Sequence, residues 1–197
     1  MKILIVGANG LLGSAAVAAL RKRHEIVEAS RSGDVTVDLA DPQSILRMFK
    51  EVGTVDAVIS CTGSVPFKPL NELTAEDFQS AFADKVMGQV NLVQLGVEYL
   101  SDGGSLTITS GVLAREPILT GAAASLANGA LESFVMAAAA ELPRRIRINA
   151  VSPSVLAEAK GYHEFFPGFT QVPAETVGRA YVKSVEGIQT GQVYALD

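Results

Sequence analysis

Gly7-Ala8-Asn9-Gly10-Leu11-Leu12-Gly13 follows directly on the apolar run Ile3-Leu4-Ile5-Val6. It opens a segment in which Leu11, Leu12, Ala15, Ala16, Ala19 and Leu20 recur at helical spacing. A buried strand that turns through three glycines into a helix has a physical use. One glycine permits the tight turn, one lets backbone approach a pyrophosphate, and one lets the helix sit close on the strand. The helix N-terminus then presents free N–H groups and partial positive charge to the phosphates. The spacing is GxxGxxG, not GxGxxG, so the strand before it and the helix after it carry the reading. The competing reading is a glycine-lined turn without a ligand.

Outward from this loop the same alternation continues. Residues 2–6, 25–29, 35–37, 55–60, 105–109, 146–151 and 192–196 read as strands. Residues 11–22, 42–51, 121–141 and 174–186 read as helices, and a long helical region from 75 to 100 looks broken near Gly88. Asp41-Pro42 is a helix start with an acidic cap and a first-turn proline; Thr74-Ala75-Glu76-Asp77 is another, with a hydroxyl cap and acidic first turn. The strands are apolar without alternation, which demands cover on both faces. The expected fold is α/β: one domain over 1–197, a Rossmann-type doubly wound parallel β-sheet of about seven strands with helices on both faces, in three layers.

With 197 residues, 48% hydrophobic and 19% charged, the chain can bury a substantial core. A net charge of -5 with no basic stripe argues against nucleic acid and anionic membrane as partners. Arg144, Arg145 and Arg147 read as a solvated strand entry. A single cysteine, Cys61, excludes a disulfide within the chain and fits a reducing compartment; two distant histidines add no metal-ligand spacing. No signal-peptide pattern is present, and no stretch approaches the ~20 uninterrupted apolar residues of a membrane span. The expected location is the cytoplasm.

The second strand ends at Glu28-Ala29-Ser30-Arg31-Ser32. A dinucleotide fold reads the adenosine ribose here. Uncharged Ser30 would not repel a 2′-phosphate, Arg31 can pair with one, and the two flanking hydroxyls add donors. This favours NADP(H) over NAD(H); the bland alternative is a surface arginine in a turn.

At this point the chain resembles the short-chain dehydrogenase/reductase family along nearly its whole length. Asp38 and Leu39 resemble the aspartate motif after the third strand, which in the family contacts adenine. Cys61-Thr62-Gly63 sits where the family has an Asn-Ala-Gly turn, Arg147 to Pro153 looks like its sixth strand and proline exit, and Thr190-Gly191-Gln192-Val193 like its closing strand. The resemblance implies cofactor contacts from Gly7, Asn9, Gly10, Leu11, Leu12, Gly13, Ser30, Arg31, Ser32, Asp38, Leu39, Cys61, Thr62, Gly63 and Pro153.

The family's Asn, Ser, Tyr and Lys align with other residues. Ala124 takes the Tyr place, Asn128 the Lys place, Gly111 the Ser place with Ser110 beside it, and Lys85 the Asn place. Such a divergent subgroup keeps the cofactor loop without the usual four. The candidate catalytic residues are therefore Lys85, Thr109, Ser110 and Asn128. In the exchange reading, Lys and Asn have swapped places, and a desolvated Lys85 serves as acid or base. In the bland reading Lys85 points to solvent. Thr109 and Ser110 end the fifth strand, where ligand sites open, although such hydroxyls also bond local backbone. Tyr162 and His163 could donate a proton from a closed segment, or join Phe165, Phe166 and Phe169 in a hydrophobic lid or oligomer contact. Glu158 has no evident role.

Three functions stay open: an NADP(H)-dependent oxidoreductase acting on a small carbonyl or alcohol with a rearranged proton relay, an inactive NADP(H)-binding sensor or scaffold, and a fold kept only for assembly. Small and apolar residues in 84–100 and 121–141 suggest, by the resemblance, a homodimer or homotetramer.

Overall fold

The computed structural model describes residues 1–197. Seven parallel strands form one sheet in the order β3-β2-β1-β4-β5-β6-β7. They are β1 (Lys2–Val6), β2 (Glu25–Ser30), β3 (Val35–Thr36), β4 (Val55–Ser60), β5 (Leu100–Thr109), β6 (Arg147–Pro153) and β7 (Val193–Leu196). The helices are α1 (Leu11–Leu20), α2 (Pro42–Val52), α3 (Ala75–Ala81), α4 (Gly88–Gly96), α5 (Ala122–Glu141) and α6 (Ala174–Glu186).

Strand residues alternate between two cores. Leu4, Val6, Val58, Leu106 and Ile108 pack under α2, α4 and α5, where Phe49, Leu92 and Leu131 are fully buried. Ile3, Ile5, Ala57 and Ile59 pack under α1 and α6, around the fully buried Tyr181. The expected three layers are present. Gly178 of α6 lies against the Ala15 carbonyl of α1, where a Cβ would come within 2.9 Å, so the two helices meet closely.

The strand order reverses between β1 and β4, and a crevice opens there beyond the carboxyl ends of the strands. Register aligns its walls: Val6 pairs with Ala29 on one side and Ser60 on the other. The loops starting at Gly7, Ser30 and Cys61 therefore leave the sheet at one level.

Both expected caps form. Asp41 Oδ1 accepts from the Gln43 N–H at 2.9 Å. Thr74 and Asp77 make a reciprocal capping box. Four details differ from the sequence reading. The first helix stops at Leu20 rather than near 22. β5 starts at Leu100, because Val55 pairs with Leu100 while Ala57 pairs with Ser105, and the extra residues bulge through Gly103 at φ +74°. Gly88 does not break the helical region. The irregularity is a π-helical turn over Phe82–Met87, and Gly88 lets α4 approach Leu39, whose Cβ lies 3.0 Å from where a glycine Cβ would stand. Two of the three clustered arginines are latches. Arg144 donates to the carbonyls of Leu100 (2.7 Å) and Val97. Arg147 donates to those of Ser184 and Val185 at 2.8 Å, closing the carboxyl end of α6. Only Arg145 keeps the solvated reading.

One helix, α5, is long and apolar enough to cross a membrane by length and composition. Here Ala124, Ala127, Asn128, Leu131 and Val135 bury one face of it within the fold.

Candidate functional site

The crevice is a cleft of about 450 Å³. Its floor is the glycine loop. Gly7 has φ +81°, and a Cβ on it would stand 2.7 Å from the Cys61 carbonyl oxygen. A Cβ on Gly13 would stand 2.1 Å from the Gly7 carbonyl oxygen, so only glycine lets α1 start this close to β1. Gly10 caps α1 in an extended conformation without a side-chain partner. The first bond of the helix runs from the Ser14 N–H to the Gly10 carbonyl at 2.8 Å. The N–H groups of Leu11, Leu12 and Gly13 precede it and lie at the positive end of the helix. None of these three residues lines the cleft itself. Cradle, helix end and depth fit a pyrophosphate.

Asn9 ties the loop to the second strand exit. Its Nδ2 donates to Ser30 Oγ at 3.0 Å and to the Ser32 carbonyl at 3.1 Å. Arg31 lies exposed in the cleft wall and makes no ion pair, although arginines 21, 23, 47, 115, 144 and 179 all do. Ser30, Arg31 and Ser32 thus form a polar edge with one unneutralised cation. Beside this edge, at the exit of β3, Asp38 Oδ1 accepts from the Ala40 N–H at 3.0 Å, between buried Val37 and Leu39. Cys61, Thr62 and Gly63 complete the wall. Burial pushes the Cys61 thiol up to about 12, and the thiol faces Tyr181 and Thr109. Thr62 Oγ1 bonds Ser60 Oγ at 2.9 Å. Pro153 is buried at the end of β6 and does not line the cleft.

The sequence reading missed Val6, Val37, Ser64 and Asp84, which also line it. The Ser64 N–H donates to Asp84 Oδ2 at 2.6 Å. Asp84 carried a signal in its position beside Lys85; the bond to residue 64 could not be read locally.

The candidate catalytic residues divide. Lys85 lies in the π-helical turn with its stem over Gly63, whose Cβ would meet Lys85 Cγ at 2.7 Å. Its Nζ donates to the Ser110 carbonyl at 3.4 Å, so the ammonium reaches the exit of β5 and does not point to bulk solvent. Burial lowers its pKa to about 8, opposed by the nearby Asp84 charge. Asn128 stands across that exit. It is 4% exposed, and its Oδ1 has no hydrogen-bond partner. A Cβ on Gly111 would lie 3.1 Å from Asn128 Nδ2, so glycine at 111 makes room for this amide. Lys85 and Asn128 therefore flank the Ser110–Gly111 backbone. Between Lys85 and the strand, Gln89 is saturated: its Oε1 accepts from Thr109 N–H at 2.9 Å and its Nε2 donates to the carbonyls of Thr109 and Lys85 at 3.0 and 3.1 Å.

The two hydroxyls are committed elsewhere. Thr109 is a correction. Its side chain lies on the α6 side of the sheet, with Oγ1 donating to the Ser60 carbonyl at 2.5 Å and bonded to the Tyr181 hydroxyl at 2.8 Å. Ser110 is corrected likewise: its Oγ donates to Glu132 Oε1 at 2.8 Å. Glu132 also accepts from Ser152 Oγ at 2.7 Å and from Arg115 Nη1 at 2.7 and 2.8 Å.

In the segment after β6, His163 Nε2 bonds the Leu156 carbonyl at 2.9 Å and is spent on local backbone. Glu158 accepts from the Ala174 N–H at 3.0 and 3.1 Å, capping α6. Tyr162 is exposed and tilts against Phe67, with centroids 6.4 Å apart. Phe166 and Phe169 pack beside Val112, Leu113 and Ala124.

Comparisons with known proteins agree with this geometry. A family model described as enoyl-(acyl carrier protein) reductase matches residues 1–194. The protein lin1944 from Listeria innocua, known from its crystal structure, is 50% identical with a TM-score of 0.98, each chain covered to 100%. A small-chain dehydrogenase solved in complex with NADPH is 25% identical, with a TM-score of 0.88 over 100% of this chain and 96% of that one. A hydroxynaphthalene reductase-like protein Arp2 from Metarhizium brunneum is 28% identical over 160 residues, 76% of this chain and 60% of that protein. The match thus spans less than two thirds of that relative.

Proposed function

The chain belongs to the short-chain dehydrogenase/reductase family, and from that premise we propose that it is an NADP(H)-dependent oxidoreductase in which Lys85 handles the proton and Asn128 holds a hydroxyl beside it. The observation that carries the cofactor reading is the unpaired Arg31 beside Ser30 and Ser32, at the edge of a cleft whose glycine floor fits a pyrophosphate. An NADPH complex of a structural neighbour supports it.

NADPH, when bound, supplies hydride to a carbonyl carbon. The chain's own residues do the rest. The N-terminus of α1 holds the pyrophosphate, Arg31 pairs with the 2′-phosphate, and Asp38 and Leu39 form the adenine wall. Lys85 holds a proton at Nζ beside the exit of β5 and delivers it to the developing alkoxide. Asn128 Oδ1, which lacks a partner, accepts a hydrogen bond from a ribose or substrate hydroxyl. A donor whose pKa is about 8 must be protonated to act, so the rate of reduction falls as pH rises through that value.

The test is NADPH consumption with a panel of carbonyl compounds. Lys85→Met is expected to lower kcat about 100-fold, the loss typical of a removed general acid. Undiminished kcat in that variant refutes the role of Lys85.

A second reading, a cofactor-binding protein without turnover, is favoured by one observation. The hydroxyls of Thr109 and Ser110 are spent on internal partners. NADPH binding with no turnover of any carbonyl would select it. We further propose a homodimer across α4 and α5, where Met87, Leu126 and Met136 are exposed.

A further inference from the structure

Three charged side chains line the cofactor cleft: Arg31, Asp38 and Asp84. The first two stand at the exits of β2 and β3, where a dinucleotide fold reads the adenosine end. Asp84 stands elsewhere. It lies in the π-helical turn before α4 and touches the exit of β4, where the Ser64 N–H donates to its Oδ2 at 2.6 Å. That exit runs beside the glycine loop, because Val6 and Ser60 are register partners in β1 and β4. Asp84 therefore borders the middle of the cleft.

This carboxylate is oriented but only half used. Asp41, Asp77 and Asp102 each pair with a cation, whereas Asp84 pairs with none. Lys85, its chain neighbour, turns its Nζ to the Ser110 carbonyl at 3.4 Å. Oδ2 takes the Ser64 N–H, and Oδ1 makes no hydrogen bond within the chain. The backbone on both sides of that bond is fixed. The Lys85 stem packs on Gly63, which has φ +116° and where a Cβ would meet Lys85 Cγ at 2.7 Å. An acceptor held in this way needs little further ordering when a donor arrives.

A dinucleotide limits what can meet it there. Between its two bases the cofactor consists of phosphates and riboses. A carboxylate repels the phosphates, and only the ribose hydroxyls among these groups donate hydrogen bonds. Resting on the cofactor reading above, we propose that Asp84 is a cofactor-binding residue whose Oδ1 accepts a hydrogen bond from a ribose hydroxyl. The ionised acceptor makes this bond roughly twice as strong as a neutral one. Arg31 then reads the 2′-phosphate and Asp84 reads a sugar, so one cation and one anion recognise the cofactor at separate points of the cleft.

Calorimetric titration separates a carboxylate that holds a hydroxyl from one that only repels phosphate, because the two change affinity in opposite directions. Asp84→Asn keeps an oxygen for the Ser64 N–H and removes the charge. It is expected to bind NADPH about tenfold more weakly than the parent protein, the loss of a charge-assisted bond. Asp84→Ser, which is shorter and also uncharged, should lose at least as much. 2′-Phospho-ADP-ribose has both riboses and no nicotinamide, and its affinity should fall in Asp84→Asn by the same factor. 2′,5′-ADP, with the adenosine ribose alone, then tells which sugar is held: a weaker fit in the variant assigns the adenosine ribose, and an unchanged one assigns the other. Equal or tighter binding of NADPH by Asp84→Asn overturns the assignment and leaves the cofactor reading standing. So does a loss confined to NADPH, which moves the contact to the nicotinamide. Absence of NADPH binding by the parent protein overturns both.

Discussion

Lys85 carries the most consequence of any single side chain. Its pKa of about 8 against an ordinary 10.5 means that burial disfavours the ammonium in the folded state. Between those values the unfolded chain binds more protons than the folded one, so stability contributed by this residue rises with pH there. Below about 8 the cost is present in full. Lys85→Met removes it. The variant should be the more stable protein at pH 7, and its advantage in Tm should shrink toward pH 10. A gap that stays constant across that range contradicts a desolvated Lys85. At this scale the cofactor cleft was legible in the sequence, because Gly7, Asn9, Arg31 and Asp38 belong to short local motifs. The committed hydroxyls were not. Thr109 faces Tyr181 from 72 residues away, and Ser110 meets Glu132 from 22 away. Apolar residues on both sides of β5 hid which face each hydroxyl takes.

Elements were legible where their signals are local. The Thr74–Asp77 capping box and the Asp41 cap lie within a few residues of the ends they fix. The early start of β5 was hidden because it depends on pairing with Val55, a tertiary fact. Gly88 misled because a glycine used for close approach reads, in sequence, like a glycine that breaks a helix. Gly13 is the clearer case of close approach. Gly13→Ala would push a methyl group to 2.1 Å from the Gly7 carbonyl, and backbone cannot yield as a side-chain tip can. The expected result is a loss of about 1–3 kcal/mol in unfolding free energy, the usual cost of overpacking, together with weakened NADPH binding. A variant with unchanged Tm and affinity would show that α1 does not rest on the loop as described.

For the whole molecule, alternation and right-handed crossovers made the three-layer parallel sheet legible, whereas the order β3-β2-β1-β4-β5-β6-β7 was not, because other doubly wound orders obey the same handedness. Assembly is a separate matter. Exposed Leu126 and Met136 on α5 and Met87 beside α4 predict a dimer at micromolar concentration in sedimentation, and Met136→Lys should shift it toward monomer. A monomeric parent protein refutes that interface. The apolar cluster around Ala124 was the least legible feature, because three loops distant in sequence build it. Everything proposed about turnover depends on the cleft holding a dinucleotide. Calorimetric titration with NADPH and, separately, NADH tests this most directly. The prediction is tight binding of NADPH, weak binding of NADH, and loss of most of that difference in Arg31→Ala, because a charge-assisted pair to the 2′-phosphate contributes about 1.5–3 kcal/mol. Absence of heat with either nucleotide would contradict it and leave the glycine loop a turn without a ligand.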